Sequence, residues 1–215
     1  MIQFEKLGIF ISKPVALILV AIYLLQSGVV AFLLNDKYQL HRQIEHLQGI
    51  VNDQEERLKI LNAIEGIQIG FSDEEVGTLA NVVYTEGKRY GLDPLFVLAV
   101  IMTESTFRKG QVSEKGAMGL MQVIPSTGES VAERVGIEWY GPPTLHDHES
   151  NIKVGTRYLF EKIMEFKDVK KALAAYNMGT TRLRNFMQSN ENKVPRQYFE
   201  RVLSNYNELK ENYAS

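Results

Sequence analysis

The sequence predicts an all-α protein, and three observations lead there. Alternating apolar and polar residues, the mark of half-buried strands, are nearly absent along the chain. Helix-start signals recur, as Ser72-Asp73-Glu74-Glu75 and as Asp93-Pro94. Between Asn35 and Glu65 there is no Pro, and Gly49 is the one Gly.

Pro14 to Leu34 carries no charge and is long enough to cross a bilayer as one helix. A cleaved signal peptide is the competitor. Signal h-regions are shorter and end at a small-x-small site, whereas this run continues past Ser27-Gly28 with no clear Ala-x-Ala. An uncleaved anchor is the expectation. Lys6 and Lys13 on one side and Lys37 and Arg42 on the other leave orientation undecided by charge. Beyond the span, Leu40, Ile44, Leu47, Val51, Leu58 and Leu61 follow a 4-3 spacing, with Gln54 and Glu65 at seam positions. Two readings stand: a dimerising stalk, or one amphipathic helix packed on the domain or the membrane surface.

Gly66 to Gly70 reads as a hinge. The capping box at Ser72 opens a helix with Val76, Leu79, Ala80 and Val83 on one face, ended by Gly91. Asp93 caps the next helix, with Pro94 in its first turn, and that helix runs to about Phe107. Lys109 to Pro125 is punctuated by Gly and reads as loop with a short helix. Further helices are expected from Ser126 and over roughly 149–166, 168–177 and 195–212. The boundaries are a short cytoplasmic segment at 1–13, the span at 14–34, a helical stalk at 35–70 and a folded domain at 71–215.

Charge is nearly balanced, 24 Lys and Arg against 26 Asp and Glu. That argues against nucleic acid, which calls for a basic footprint. There is no Cys, so disulfides and zinc-thiolate sites are excluded. His146-Asp147-His148 offers two imidazoles but no third ligand, so a solvated loop is expected and no metal. No cofactor is implied.

Glu104 is a lone carboxylate in the run Leu95 to Phe107, on a face with Val97, Val100 and Ile101. Burying it ionised is costly. It is either exposed at the rim or held toward the protonated form, which is what a general acid needs. Asp73, Glu86, Asp93 and Glu114 read as caps and surface charge.

Three ordered blocks then follow one another: Glu104-Ser105, Gly116-Ala117-Met118-Gly119-Leu120-Met121-Gln122-Val123-Ile124-Pro125, and Ala174-Ala175-Tyr176-Asn177-Met178-Gly179. Together they resemble the soluble lytic transglycosylases, which share a goose-type lysozyme-like fold. Asn151-Ile152 with Gly155, Tyr158 and Leu159, and Tyr198 with Val202, extend the resemblance over roughly 82–206. It implies a helical catalytic domain acting on peptidoglycan glycan strands, with Glu104 as acid and then base. It also implies a substrate-binding set of Ser105, Ser113, Gly119, Met121, Gln122, Tyr176, Asn177 and Tyr198. Within it, Ser105 holds the turn after Glu104 and Ser113 lies near the substrate acetamido group. Gly116 and Gly119 let backbone approach the glycan. Met121 packs, and Gln122 offers its amide to sugar groups. Tyr176 bonds Glu104 or a sugar, and Asn177 bonds substrate or caps a helix. There are departures. Ile124 stands where many members have Met, and Val194-Pro195 where many carry an acidic element before Tyr198, which makes Tyr198 the weaker binder.

The resulting expectation is a single-pass inner-membrane protein with its catalytic domain in the periplasm, able to self-associate through 36–65. A hydrolytic goose-type lysozyme and a glycan-binding envelope scaffold without turnover are the alternatives.

Overall fold

A computed structural model describes residues 2–4 and 9–213, with backbone alone for 2–4 and 9–11. It contains two short strands, β1 (Ile2–Phe4) and β2 (Ile9–Ile11), paired antiparallel with Ile2 opposite Ile11. Everything else with regular structure is helical: α1 (Lys13–Ile67), α2 (Asp73–Arg89), α3 (Pro94–Ser105), α4 (Pro125–Ala132), α5 (His148–Phe166), α6 (Val169–Met178), α7 (Thr180–Ser189) and α8 (Gln197–Tyr213), with two short 3-10 turns between α4 and α5. The expected segment at 1–13 lies partly outside the described residues.

The chain forms two compact units, 1–53 and 54–215. In the first, α1 is long and apolar enough to cross a membrane. Leu17, Tyr23, Leu25, Phe32 and Leu34 are exposed, as are the seam residues Leu40, Ile44, Leu47 and Val51.

The second unit begins at Gln54, not at residue 71, because α1 carries a second apolar stripe. Ile60, Ala63 and Ile64 enter the core, while seam residue Leu58 stays 54 % exposed. The hydroxyl of Tyr213 in α8 occupies the place where a Cβ on Gly66 would stand. Arg57 bonds Asn81 of α2, and its guanidinium lies 4.2 Å over the Tyr84 ring. The last turns of the expected stalk are therefore domain core.

The capping box at Ser72 forms, with Glu75 Oε2 accepting from the Ser72 N–H at 2.9 Å. Val76, Leu79, Ala80 and Val83 of α2 are all buried. Asp93 caps α3, accepting from the Leu95 N–H at 2.9 Å. From Val97 to Ile101 every side chain of α3 is fully buried, so α3 is the central helix rather than one with a single apolar face. It packs most extensively on α8, while α5 packs on α2 and α6. The stretch 109–124 holds no helix. Instead Met118 pairs with both Val112 and Val123 as isolated antiparallel bridges. Closely spaced Gly residues favour such turns over a helix.

Glu86 is not surface charge. It is 1 % exposed in α2, its Oε1 pairs with Arg89 at 2.9 Å, and its Oε2 has no hydrogen-bond partner among the described residues. Burial raises its pKa above the ordinary carboxylate value. An acid whose folded pKa is raised loses stability as pH climbs from the unfolded value through the folded one. Glu86→Gln is therefore expected to stabilise by on the order of 1 kcal/mol at pH 8, with the gain gone at pH 4. Thermal melts at the two pH values check this; an equal or negative change at pH 8 would contradict it.

Candidate active site

Glu104 sits in the last turn of α3, where the helix reaches a cleft of about 390 Å³. The turn ends because Thr106 and Phe107 both adopt positive φ, 52° and 53°. Phe107 is fully buried, which holds the strained chain in place. Burial is the largest influence on Glu104 and pushes its pKa up to about 7. Two weaker effects oppose it: a hydrogen bond from Tyr198 and the charge of Arg201. The Tyr198 hydroxyl donates to Glu104 Oε1 at 2.6 Å. Asn205 of α8 donates to Thr103 Oγ1 at 2.9 Å, so α8 grips the end of α3 at neighbouring residues.

Tyr198, the weaker expectation, is thus the tyrosine on the acid. It is 4 % exposed, and its hydroxyl is bonded to the carboxyl. Tyr176 does not bond Glu104; it donates to the Met121 carbonyl at 2.8 Å. Its ring lies 5.4 Å from that of Tyr158, and both line the cleft.

Ser113, Gln122 and Asn177 line the cleft with Glu104 and Tyr176. The Ser113 hydroxyl accepts from the Ala117 N–H at 3.0 Å. Gln122 has φ 46°, rare for a residue with a side chain. Its Nε2 donates to the carbonyls of Gly119 at 2.9 Å and Gln111 at 3.2 Å. With its Nε2 so committed, the side chain of Gln122 has Oε1, an acceptor, left to offer the cleft.

Three members of the expected set make supporting contacts within the protein. Ser105 is buried and its hydroxyl donates to the Ile101 carbonyl at 3.1 Å, closing the helix end. A Cβ on Gly119 would lie 2.2 Å from Asn151 Nδ2, so the missing side chain makes room for Asn151. Met121 is fully buried, and Gly155 is bare because a Cβ would meet Met121 at 2.6 Å.

Asn151 is the residue whose role the sequence did not disclose. Fully buried in α5, it accepts from the Met121 N–H at 2.8 Å and donates to the carbonyls of Met118 at 2.8 Å and Leu145 at 3.1 Å. It pins the Gly119–Gln122 turn to α5. The signal available was its place in the Asn151-Ile152 segment, four residues before Gly155. Lys115, Thr127, Tyr158 and Arg182 also line the cleft and were not anticipated. Asp147 caps α5, accepting from the Ser150 N–H at 2.8 Å, and the His148 ring packs edge-on against Phe71 at 4.9 Å.

An all-α unit with a carboxyl at the end of its central helix, facing a polar cleft, has the lysozyme-like fold of soluble lytic transglycosylases. The lytic transglycosylase Slt of Pseudomonas aeruginosa, solved as an inactive mutant, superposes with a TM-score of 0.53 at 27 % identity, over 61 % of this chain and 24 % of that one. The 70 kDa soluble lytic transglycosylase of Escherichia coli shares the fold, with a TM-score of 0.52 at 24 % identity over 65 % of this chain and 27 % of its own. Residues 81–199, over half the chain, match the family model of the transglycosylase SLT domain. The chain belongs to that family. It is 35 % identical to a transglycosylase of Enterobacteria phage PRD1 over 121 residues, 56 % of this chain and 40 % of the phage protein. It is 33 % identical to a soluble lytic murein transglycosylase of Salmonella typhimurium over 113 residues, 52 % of this chain and 17 % of that enzyme. An endo-type membrane-bound lytic murein transglycosylase A of Klebsiella pneumoniae is 43 % identical over 77 residues, 34 % of this chain and 37 % of its own.

Proposed function

We propose that this protein is a membrane-anchored lytic transglycosylase that cleaves the β-1,4 bond between N-acetylmuramic acid and N-acetylglucosamine in peptidoglycan. The observation that carries the reading is Glu104. It is the one carboxyl lining the cleft among the described residues, and burial holds its pKa near 7. Protonated, it donates to the glycosidic oxygen as the C1–O bond breaks. The substrate acetamido group stabilises the cation at C1. The Glu104 carboxylate, steadied by the Tyr198 hydroxyl, then takes the proton of the muramyl 6-hydroxyl as that oxygen bonds C1. The acid is regenerated, no water is consumed, and a 1,6-anhydro end is left. Two-carboxylate hydrolysis places a second acid across the scissile bond; this cleft offers none among the described residues.

Residues 14–34 are read as the span of an inner membrane, with the second unit in the periplasm, where the substrate lies. Hydrocarbon would cover the apolar side chains that are exposed along this part of α1. The exposed ladder Leu40, Ile44, Leu47 and Val51 supports self-association through 36–65.

The test is mass spectrometry of sacculi digested by the full chain in detergent. Anhydromuramic ends are expected. Reducing ends would identify a hydrolytic lysozyme, and no fragments a binding scaffold.

Tyr198→Phe is expected to move the alkaline limb of the pH profile. Its hydroxyl favours the carboxylate, and a hydrogen bond to a charged group contributes about 1.5–3 kcal/mol. Removing it raises the Glu104 pKa further, by about one to two units. The acid then stays protonated to higher pH, while the base step slows. Turnover measured from pH 5 to 10 checks this, and an unmoved limb would mean the bond is not felt in catalysis.

A further inference from the structure

We infer that Lys115 and Arg182 form a carboxylate-reading pair in the cleft, selecting glycan strands that bear acidic groups; this rests on the glycan-cleaving reading above. The chain as a whole is net negative at −2. Its cleft is not: the charged residues lining it are Glu104, Lys115 and Arg182. Near neutral pH, with burial favouring the protonated form of Glu104, the cleft is cationic.

The two cations are presented, not spent. Lys115 stands on a turn closed by the Ser113 N–H to the Ala117 carbonyl at 2.9 Å and the Gly116 N–H to the Ser113 carbonyl at 2.9 Å. Arg182 lies in the first turn of α7. Neither has an ion pair or side-chain hydrogen bond among the described residues, whereas Lys162 and Arg184 nearby both pair with Glu165, each at 2.8 Å. Arg182 also borders a second recess, which shares Tyr158, Met178 and Gly179 with the cleft and is lined besides by Thr180, Thr181 and Asn185. Hydroxyls, an amide and a guanidinium suit a hydrogen-bonding, charged arm better than an apolar one. A guanidinium holds a carboxylate through two parallel bonds, which a neutral sugar hydroxyl does not match. Peptidoglycan has two sources of that group: the peptide arm, or the sugar's own lactyl carboxylate once the peptide is gone.

The test uses the full chain in detergent on three substrates. These are peptide-bearing strands, the same strands with carboxylates amidated, and strands stripped of peptide by an amidase. Amidation is expected to raise the wild-type KM about fivefold with kcat nearly constant, as befits exposed charge pairs. The doubly substituted chain, K115Q with R182Q, should show that raised KM on native strands and no further change on amidated ones. The wild-type advantage should shrink with added salt. Stripped strands locate the group: a low KM places it on the sugar, a high KM on the arm. A wild type indifferent to amidation, or a double variant equally impaired on both substrates, overturns the pair. If wild type cleaves nothing, the transglycosylase reading fails instead. Cosedimentation of the chain with native against amidated strands then still decides the inference.

Discussion

Glu104→Gln should abolish strand cleavage while leaving a folded protein. The amide keeps the shape of the side chain and can still accept from the Tyr198 hydroxyl, which lies 2.6 Å from Oε1. It cannot give a proton to a leaving oxygen. Loss of general acid catalysis costs about 10²–10⁴-fold, and in the proposed mechanism the same group also serves as base, so the loss should reach the upper end. The stability effect runs the other way. Burial raises the folded pKa to about 7, so ionising Glu104 costs stability as pH rises from the ordinary Glu value through 7. The Gln variant should therefore melt higher than wild type at pH 8 and no differently at pH 4. Turnover and melting of the same preparation decide the matter. Retained turnover would remove Glu104 from the mechanism; a lowered melt at pH 8 would mean the carboxylate is better solvated than the structure has it.

Asn151→Ala should be the most destabilising single change at the site. It strands the Met121 N–H and the Leu145 carbonyl at a residue with no exposure, and takes one of two bonds from the Met118 carbonyl, which still accepts from the Val123 N–H at 3.0 Å. Each buried group left without a partner costs about 1–3 kcal/mol. The sum over the two, roughly 2–6 kcal/mol, is a large part of the roughly 5–15 kcal/mol that holds an ordinary domain. The melting temperature should fall by about 10 °C or more. Turnover well below the melt should fall too, because Met121 carries the carbonyl that holds Tyr176 and precedes Gln122 in the cleft wall. Circular dichroism melts with turnover at low temperature check both. A melt within about 2 °C of wild type would show that the turn is not held through Asn151.

The helices of the catalytic unit were legible where local chemistry decides them. Ser72 and Asp93 are caps because a short oxygen-bearing side chain answers orphan N–H groups wherever a helix begins. Helix α7, at Thr180–Ser189, went unread: its N-terminal flank is Gly179, which makes no side-chain capping bond. The loop before α4 carries helix-like spacing, but bridges within the loop at Met118 take the backbone bonds instead.

The sequence by itself determined the all-α class, the apolar run at 14–34 and the three blocks that mark the family. Those are local or linear properties: periodicity, caps, and residue types in order. Tertiary structure alone decided who touches whom around Glu104. Tyr198 lies 94 positions from Glu104 in the chain and reaches it only because α8 packs on α3. Tyr176 is drawn to the Met121 carbonyl rather than to the acid, and Gly119 is bare to admit Asn151. In the same way Ile60, Ala63 and Ile64 turn the end of α1 into core. Helical spacing can nominate an apolar stripe, but which stripe is buried depends on the helices that arrive beside it.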